Sequence, residues 1–461
     1  VATLPQASVL SDDEKDTINR LSARLRKDEQ GMVRLDRYFE GTQRLQHIGL
    51  AVPAELRKFE TVVNVPRMAV DEPARRQVLR AFYRRDDSTK PDEALQEAWE
   101  YNNLPSESSL VQREEKIFGR SFVAVGSNAD DEEHPLITVE DPRQIACDVD
   151  PRRRAIRSAL RLYRDEAERT TRGTLYLADS TLYVSRGRNG WEVDDRDGHK
   201  LGVVPLVMFL NRRRAGQWNG TSEMADVIGM TDSIARLITN MSVAAETLAL
   251  PHRWAAGMKK EDFVDKDGKA LPTWEAYMTA IKTTSNPEAK FGQFAAANLD
   301  NFHSTVNNML AWCAAVLGLP TRYAGQQSVN PAAEGAIRAD ESRLITRVEE
   351  MNRYDGDAWA WVMGLEERFR TGEWGDRNSI RTLWFDPATP TYSQRADALT
   401  KLRSEGVLSV EGVWDELGWD EPRKAQERQR LADEAVEGVV PRLLRGVSDG
   451  DAAAADASFG S

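Results

Sequence analysis

Hydrophobic positions recur at helical spacing through the first forty residues, at Ile18, Leu21, Leu25, Met32 and Leu35. Ser11 and Glu14 stand at capping-box spacing, and Asp12, Asp13 and Glu14 suit the positive end of a helix. Gly41, after Tyr38 and Phe39, is the predicted stop. Similar reasoning predicts helices over Pro66–Arg76, Asp92–Tyr101 and Ser106–Phe118, the last capped by Ser106, with a strand over Gln77–Tyr83. After Gly119 the period falls to two. Strands are predicted at Phe122–Val125, Leu136–Val139, Ile145–Asp148, Ala155–Tyr163, Thr174–Leu177, Leu182–Val184 and Val203–Leu210. Residues 1–210 thus read as one α+β domain, helices first and then a mostly antiparallel sheet.

A long amphipathic helix is predicted next, from Ser222 to Leu250, roughly 43 Å in length. Its stripe includes Met224, Val227, Ile234, Ile238 and Leu248, and Arg236 and Glu246 are its only charges from Ile234 onward. Such a helix is expected to pack against neighbours, which favours an oligomer. Residues 252–298 read as an irregular insert. Asn301–Val316 is helical and ends at Leu317-Gly318-Leu319-Pro320. A loop over Thr321–Val329 leads to Asn330 as cap and Pro331 at the first position of a third long helix, running to about Arg370. Helical patches follow at 393–404, 409–417 and 421–445, and the Ala/Asp/Gly/Ser-rich tail from Ser448 reads as disordered.

Composition narrows the function. The chain has 461 residues, 62 Lys+Arg against 74 Asp+Glu, and a net charge of −12. That balance disfavours wrapping duplex DNA through many phosphate contacts. Its longest apolar run, Met309–Leu317, is too short to span a bilayer. Val1–Leu10 shows no basic segment followed by an apolar one, so no signal peptide is expected. Cys147 and Cys313 are expected to be buried free thiols, fitting a reducing compartment.

Catalytic signatures are missing from the sequence. There is no Gly-x4-Gly-Lys-Ser/Thr, no Gly-x-Gly-x-x-Gly after a strand and no His-Glu-x-x-His. His47, His134, His199, His252 and His303 are scattered. Asp92 with Glu114-x-Lys116 imitates a metal-dependent nuclease, but that chemistry needs the second acid and lysine on a strand, and here they fall on a helix. Glu140-Asp141 and Asp148-x-Asp150 could hold a cation, although clustering by chance is expected in so acidic a chain. No catalytic residue, metal site or cofactor is therefore assigned. Lysine is concentrated: six of 14 lie between Lys259 and Lys290, balanced by six acids. The stretch reads as a solvated insert, or as a contact surface for DNA or a protein built on Lys259, Lys260, Lys266 and Lys269.

The order of these elements, together with local motifs, resembles the portal (head-to-tail connector) proteins of tailed bacteriophages, siphovirus type. The motifs are Tyr38-Phe39-Glu40-Gly41, Asn64-x-x-Arg67 with Val70-Asp71, Asn103-Leu104, and Gly119-x-Ser121-Phe122-Val123. Glu140-Asp141-Pro142, Asp150-Pro151, Pro205-Leu206-Val207 to Asn211-Arg212, Gly220-x-Ser222-Glu223 and Ser393–Leu399 with Leu402 and Gly406 continue the series. Together they cover roughly residues 30–445. The resemblance implies a portal fold: an α/β wing (1–220), stem helices (221–250 and 299–317), a small clip insert (251–298) and a tunnel loop (318–331). A long bent helix (332–390) would return to the wing, ahead of a helical crown (391–445) and a flexible tail (446–461).

It further implies a dodecameric ring at one capsid vertex, without enzymatic activity or membrane contact. Its partners would be itself, double-stranded DNA in the channel, the terminase large subunit, the head–tail adaptor and the major capsid protein. It would reside in the virion, and in the host cytoplasm during assembly. An acidic ring suits a conduit that must pass DNA without gripping it. Arg322 is the only charged side chain of the tunnel loop, and Arg322, Tyr323, Gln326, Gln327 and Asn330 are the expected channel-facing residues. Arg322 either approaches the DNA backbone or serves as a cation at a helix C-terminus. A scaffold or adaptor of phage assembly, and a metal-dependent nuclease, remain the alternatives at this point.

Overall fold

The computed structural model describes residues 9–44, 61–86, 90–188, 190–248, 253–257, 287–288, 290–293, 299–325, 334–376, 379–388, 392–419 and 422–433. Two compact units divide the chain, Val1–Pro387 and Ala388–Ser461.

The first unit opens with helix α1 (Asp12–Glu40), whose capping box between Ser11 and Glu14 forms as its spacing predicts, and which ends on Gly41 in the left-handed conformation. Helix α2 (Val65–Ala74), strand β1 (Leu79–Arg84) and helices α3 (Glu93–Tyr101) and α4 (Leu104–Phe118) follow. Ser106 is not the cap of α4. Asn103, left-handed at φ 54°, precedes the helix, and Pro105 lies in its first turn, where a missing N–H costs nothing.

Strands β2 (Arg120–Gly126), β3 (Leu136–Glu140) and β9 (Leu206–Leu210) form an antiparallel sheet in the order β3-β2-β9. Strands β4 (Ile145–Asp150), β5 (Ala155–Asp165), β6 (Thr170–Tyr176), β7 (Thr181–Gly187) and β8 (Gly190–Asp197) form a second, a meander in sequence order. The single sheet expected is thus two, packed face to face through Phe122, Ile145, Ala159, Tyr176 and Leu206. β8 escapes the sequence reading because it is a half-exposed edge whose Trp191 and Val193 alternate with charges. Helix α1 lays Ile18 and Leu21 on the other face of the five-stranded sheet, against Leu160, Leu175 and Leu182.

Helix α5 is shorter than expected, Ile228–Leu248, or about 32 Å. Its start is displaced because residues 219–224 are stitched to the end of α4. Glu223 N–H donates to Lys116 O at 2.9 Å, and the Ser222 hydroxyl donates to the same oxygen at 3.2 Å. The approach requires two glycines, Gly119 (φ +83°) and Gly220 (φ +62°): a Cβ on Gly220 would sit 1.8 Å from Gly119 O. The insert contributes a short antiparallel pair, β10 (Arg253–Ala256) and β11 (Lys290–Gln293). Helices α6 (Asp300–Leu317) and α7 (Glu334–Thr371) follow, then β12 (Ile380–Trp384).

β12 closes the unit by pairing with β1, some 300 residues earlier in the chain. The α+β body is therefore not complete at residue 210. It needs α7, whose Trp359 is fully buried among Trp99, Phe82, Phe209, Val123 and Val207. A second core joins α2, α5, α6 and α7 through Ala69, Ile234, Cys313, Leu317, Leu344 and Val348. Both cysteines are buried and free.

In the second unit, α8 (Tyr392–Ser404) and α9 (Val410–Leu417) pack on each other, and residues 422–433 are helical. Ser409 caps α9, and Arg428 holds Glu411 through a two-bond fork of 2.5 and 2.9 Å.

Candidate functional site

Among the described residues, the inward face of α7 is apolar except at four places, Glu341, Asn352, Asp355 and Glu366, all buried. Each must find a partner, because a buried polar group left alone is costly. Glu366 is met by Arg370 on the same helix at 2.8 Å, whereas the partners of Glu341, Asn352 and Asp355 tie α7 to the α6–α7 connection and to the segment after α2.

At the C-terminus of α6, Gly318 adopts the left-handed conformation and Leu319 N–H donates to Ala314 O at 2.9 Å. Two carbonyls of this last turn are also met from α7. Arg343 donates to Ala315 O at 3.3 Å and Arg347 to Leu317 O at 2.7 Å. Two cations one turn apart thus sit against the negative end of α6. Arg347 also faces the buried carboxylate of Glu223, which links this end to the segment stitched onto α4.

Residues Thr321–Ala324 then make a single 3-10 turn. Arg322 reaches Asp340 at 3.4 Å and pairs with Glu341. Tyr323 donates its hydroxyl to Glu341 Oε1 at 2.9 Å and receives a bond of 2.8 Å from Arg76, just past α2. Arg76 itself lies 3.7 Å from Glu341. Sequence reasoning singled out Arg322 and Tyr323, and the structure brings them together on one carboxylate. It missed Glu341 and Arg76. The available signal was an acid at a position of α7 in register with Leu344 and Val348. Gln326, Gln327 and Asn330, and Lys259, Lys260, Lys266 and Lys269, lie outside the described residues.

One residue beyond Arg76, Gln77 turns inward and donates to Asp355 at 2.7 Å and to Asn352 at 3.2 Å. Asp355 also shares a hydrogen bond with Glu115. Burial lifts both carboxyls above their ordinary values, and the nearby Asp355 charge lifts Glu115 further. Lys116 opposes this: its ammonium, fully buried, is 3.6 Å from Glu115 and donates to Gln112 O at 3.2 Å. Beside the cluster lies a cavity of about 570 Å3, walled in part by Glu115, Asp355, Glu223, Arg343 and Arg347.

The suspected catalytic groups are otherwise engaged. Asp92 caps α3 through Leu95 N–H and pairs with Arg84 at 2.6 Å. Glu114 is pushed up to about 7, by burial first and then by Asp141. Glu140 pairs with Arg161 at 2.8 Å, and Asp148 with Arg20 and Arg24. Asp150 accepts the backbone N–H groups of Arg152 and Arg153. Among the described residues no group of three or more His, Cys, Asp or Glu is placed to hold a metal ion.

The family model described as "Phage portal protein, SPP1 Gp6-like" matches residues 26–439. The chain belongs to this family of phage portal proteins. It is 35% identical over 417 residues to the portal protein of Mycobacterium phage L5, covering 87% of this chain and 85% of the relative. The portal protein of Mycobacterium phage D29 matches with the same identity and coverage. Among solved structures, a chain from the neck of an empty gene transfer agent (GTA) particle aligns with a TM-score of 0.44 and 10% identity. It covers 84% of this chain and 93% of that one. A chain from the native GTA virion aligns with a TM-score of 0.45 and 12% identity, with the same coverage. As a portal protein the chain is a structural, non-enzymatic component of the phage virion and a head–tail connector. Its mixed α+β architecture agrees with the class expected from sequence. The polar ties described above therefore serve position rather than chemistry.

Proposed function

We propose that the chain assembles as a closed dodecameric ring around an axial channel at one capsid vertex. DNA is packaged through this channel by the terminase large subunit and later ejected, and the head–tail adaptor docks on the ring. The observation that carries this reading is membership of the portal family along nearly the whole chain. Support comes from the packing of α5 on α6, with Cys313 Sγ 4.0 Å from Met230 Sδ, directly ahead of a tethered turn.

In this reading residues 1–220 are the wing, which meets the major capsid protein, and α5 and α6 are the stem helices. Residues 251–298 are the clip, whose lysines 259, 260, 266 and 269 face the terminase and then the adaptor. Residues 318–331 are the tunnel loop, α7 leads back to the wing, and 391–445 are the crown. The net charge of −12 keeps the channel wall from binding DNA tightly.

Glu341 holds Arg322 and Tyr323 at the base of the loop, leaving Gln326, Gln327 and Asn330 as its channel-facing part. Arg322 is held by Asp340 and Glu341 but is a third exposed, so a phosphate either competes with these acids or takes another N–H of the guanidinium. An Arg322→Ala ring tests this contact: its packaging should become less sensitive to salt, and unchanged salt dependence would remove Arg322 from the DNA path. Imaging of the purified chain tests the ring itself.

A further inference from the structure

The five-stranded sheet carries opposite charge at its two edges. At the β4 edge, the β4–β5 turn presents Arg152, Arg153 and Arg154 in succession, with Arg157 on the strand beyond, all exposed. Asp150 lies 3.6 Å from Arg157. The side chains of Arg152, Arg153 and Arg154 form no ion pair among the described residues, in a chain that is acidic overall. Next to them runs a groove of about 690 Å3, whose walls include Arg153, Arg154, Arg213, Trp218, Tyr354 and Trp361. Arg213 lies over the Tyr354 ring at 5.3 Å.

β8 forms the opposite edge, and its register with β7 puts Asp197 at the same end of the sheet as the arginine turn. There Ser127 donates to Asp197 at 2.6 Å, which anchors the turn of the β2–β3 hairpin to this edge. That turn carries four acids in a row, Asp130 to Glu133. Asp131 is used internally, holding Tyr101 at 3.1 Å and His134 at 2.8 Å. Asp130, Glu132 and Glu133 are exposed and form no ion pair among the described residues. Four strand spacings, roughly 19 Å, separate the two edges.

Unlike charges at opposite edges are what a head-to-tail contact between identical copies needs, whereas a two-fold contact needs one self-complementary patch. We propose that Asp130, Glu132 and Glu133 of one copy dock on Arg152, Arg153 and Arg154 of the next, with the hairpin turn seated at the aromatic groove. The contact rests on the ring reading above and gives the ring its direction. Complementary charge of this kind mainly selects the partner and its register.

The test uses the full chain and two variants. One is Arg152→Glu/Arg153→Glu/Arg154→Glu; the other is Asp130→Arg/Glu132→Arg/Glu133→Arg. Ring formation is followed by mass photometry against subunit concentration, with thermal melting as the control for folding. Each variant alone should need at least tenfold more protein to form rings. An equimolar mixture should form them again, because alternating subunits restore opposite charge at every contact. If a charge-reversed chain fails to fold, the corresponding Gln variants replace it, and a smaller shift in the same direction is expected.

Wild-type rings with either variant forming them at unchanged concentration would overturn the contact and leave the ring reading intact. Loss of rings that the mixture does not restore would overturn it too. Unchanged rings with weakened DNA retention in the arginine variant would assign the turn to DNA instead. If the wild-type chain forms no rings at any concentration, both readings fall.

Discussion

The Tyr323 hydroxyl donates to Glu341 Oε1 at 2.9 Å across the connection between α6 and α7. The same carboxylate takes Arg322 and stands 3.7 Å from Arg76, so a turn, a helix and the end of α2 converge on one acid. Glu341 is almost fully buried; without it Arg322 keeps only Asp340 among the described acids around it, and Arg76 keeps the Tyr323 hydroxyl and Pro387 O. Replacing it with Ala should cost roughly 1.5–3 kcal/mol, the range for losing a hydrogen bond to a charged group. Urea unfolding of the variant measures this. A loss under about 0.5 kcal/mol, the scatter of ordinary surface changes, would mean that the tether is not formed.

Trp359 is the centre of the larger core. Its ring stands edge-on to Trp99 at 4.8 Å and to Phe209 at 5.0 Å. Trp359→Ala should cost about 3–5 kcal/mol and expose the β1–β12 pair to early opening. Trp359→Phe should cost much less, because the indole N–H has no acceptor here and its loss removes an unsatisfied donor. Equal losses for the two variants, read from melting curves, would contradict this packing.

Gly220 approaches Gly119 so closely that a Cβ would meet backbone atoms on both sides. Gly220→Ala should therefore destabilise the chain more than Gly229→Ala, since Gly229 is helical, with open space around it. The Gly229 change should be neutral or favourable by helix propensity. Similar melting temperatures for the two variants would show that the stitch between α4 and the segment before α5 is loose.

The Glu115–Asp355 pair makes stability depend on pH in a definite direction. Burial keeps a proton on the pair that the unfolded chain, with a glutamate near 4.5, has already released. The native state then binds more protons, so this contribution is full below pH 4.5 and is lost as pH rises toward neutrality. Glu115→Gln keeps the shape of the protonated acid and removes the titration. The stability difference between variant and wild type should move in favour of Gln as pH rises from 5 to 7.5. A difference that stays flat would mean that the carboxyls do not share a proton.

Much of this fold was legible in the order of residues, and the exceptions have physical causes. Helix starts with strong local chemistry appear where they were expected: the Ser11–Glu14 box, Asp92 before α3 and Ser409 before α9. The first six residues of the predicted 222–250 helix do not join it. Their apolar members, Met224 and Val227, have helical spacing, but the backbone is held by Lys116 O, a contact more than 100 residues away that no periodicity encodes. β12 is missed for the same reason, since its partner β1 is remote. At the α6–α7 connection, composition pointed to Arg322 and Tyr323, but a buried glutamate within an apolar stripe looks like any other surface acid until its partners are known.

The central claim is that this chain forms a closed ring with an axial channel. End-on electron microscopy of the purified chain tests it most directly. The account predicts class averages of about a dozen subunits around a hole roughly 20 Å or more across, wide enough for a duplex with the groove dimensions of B-DNA. Uniform monomers or dimers at all concentrations, or rings with a closed centre, would contradict it.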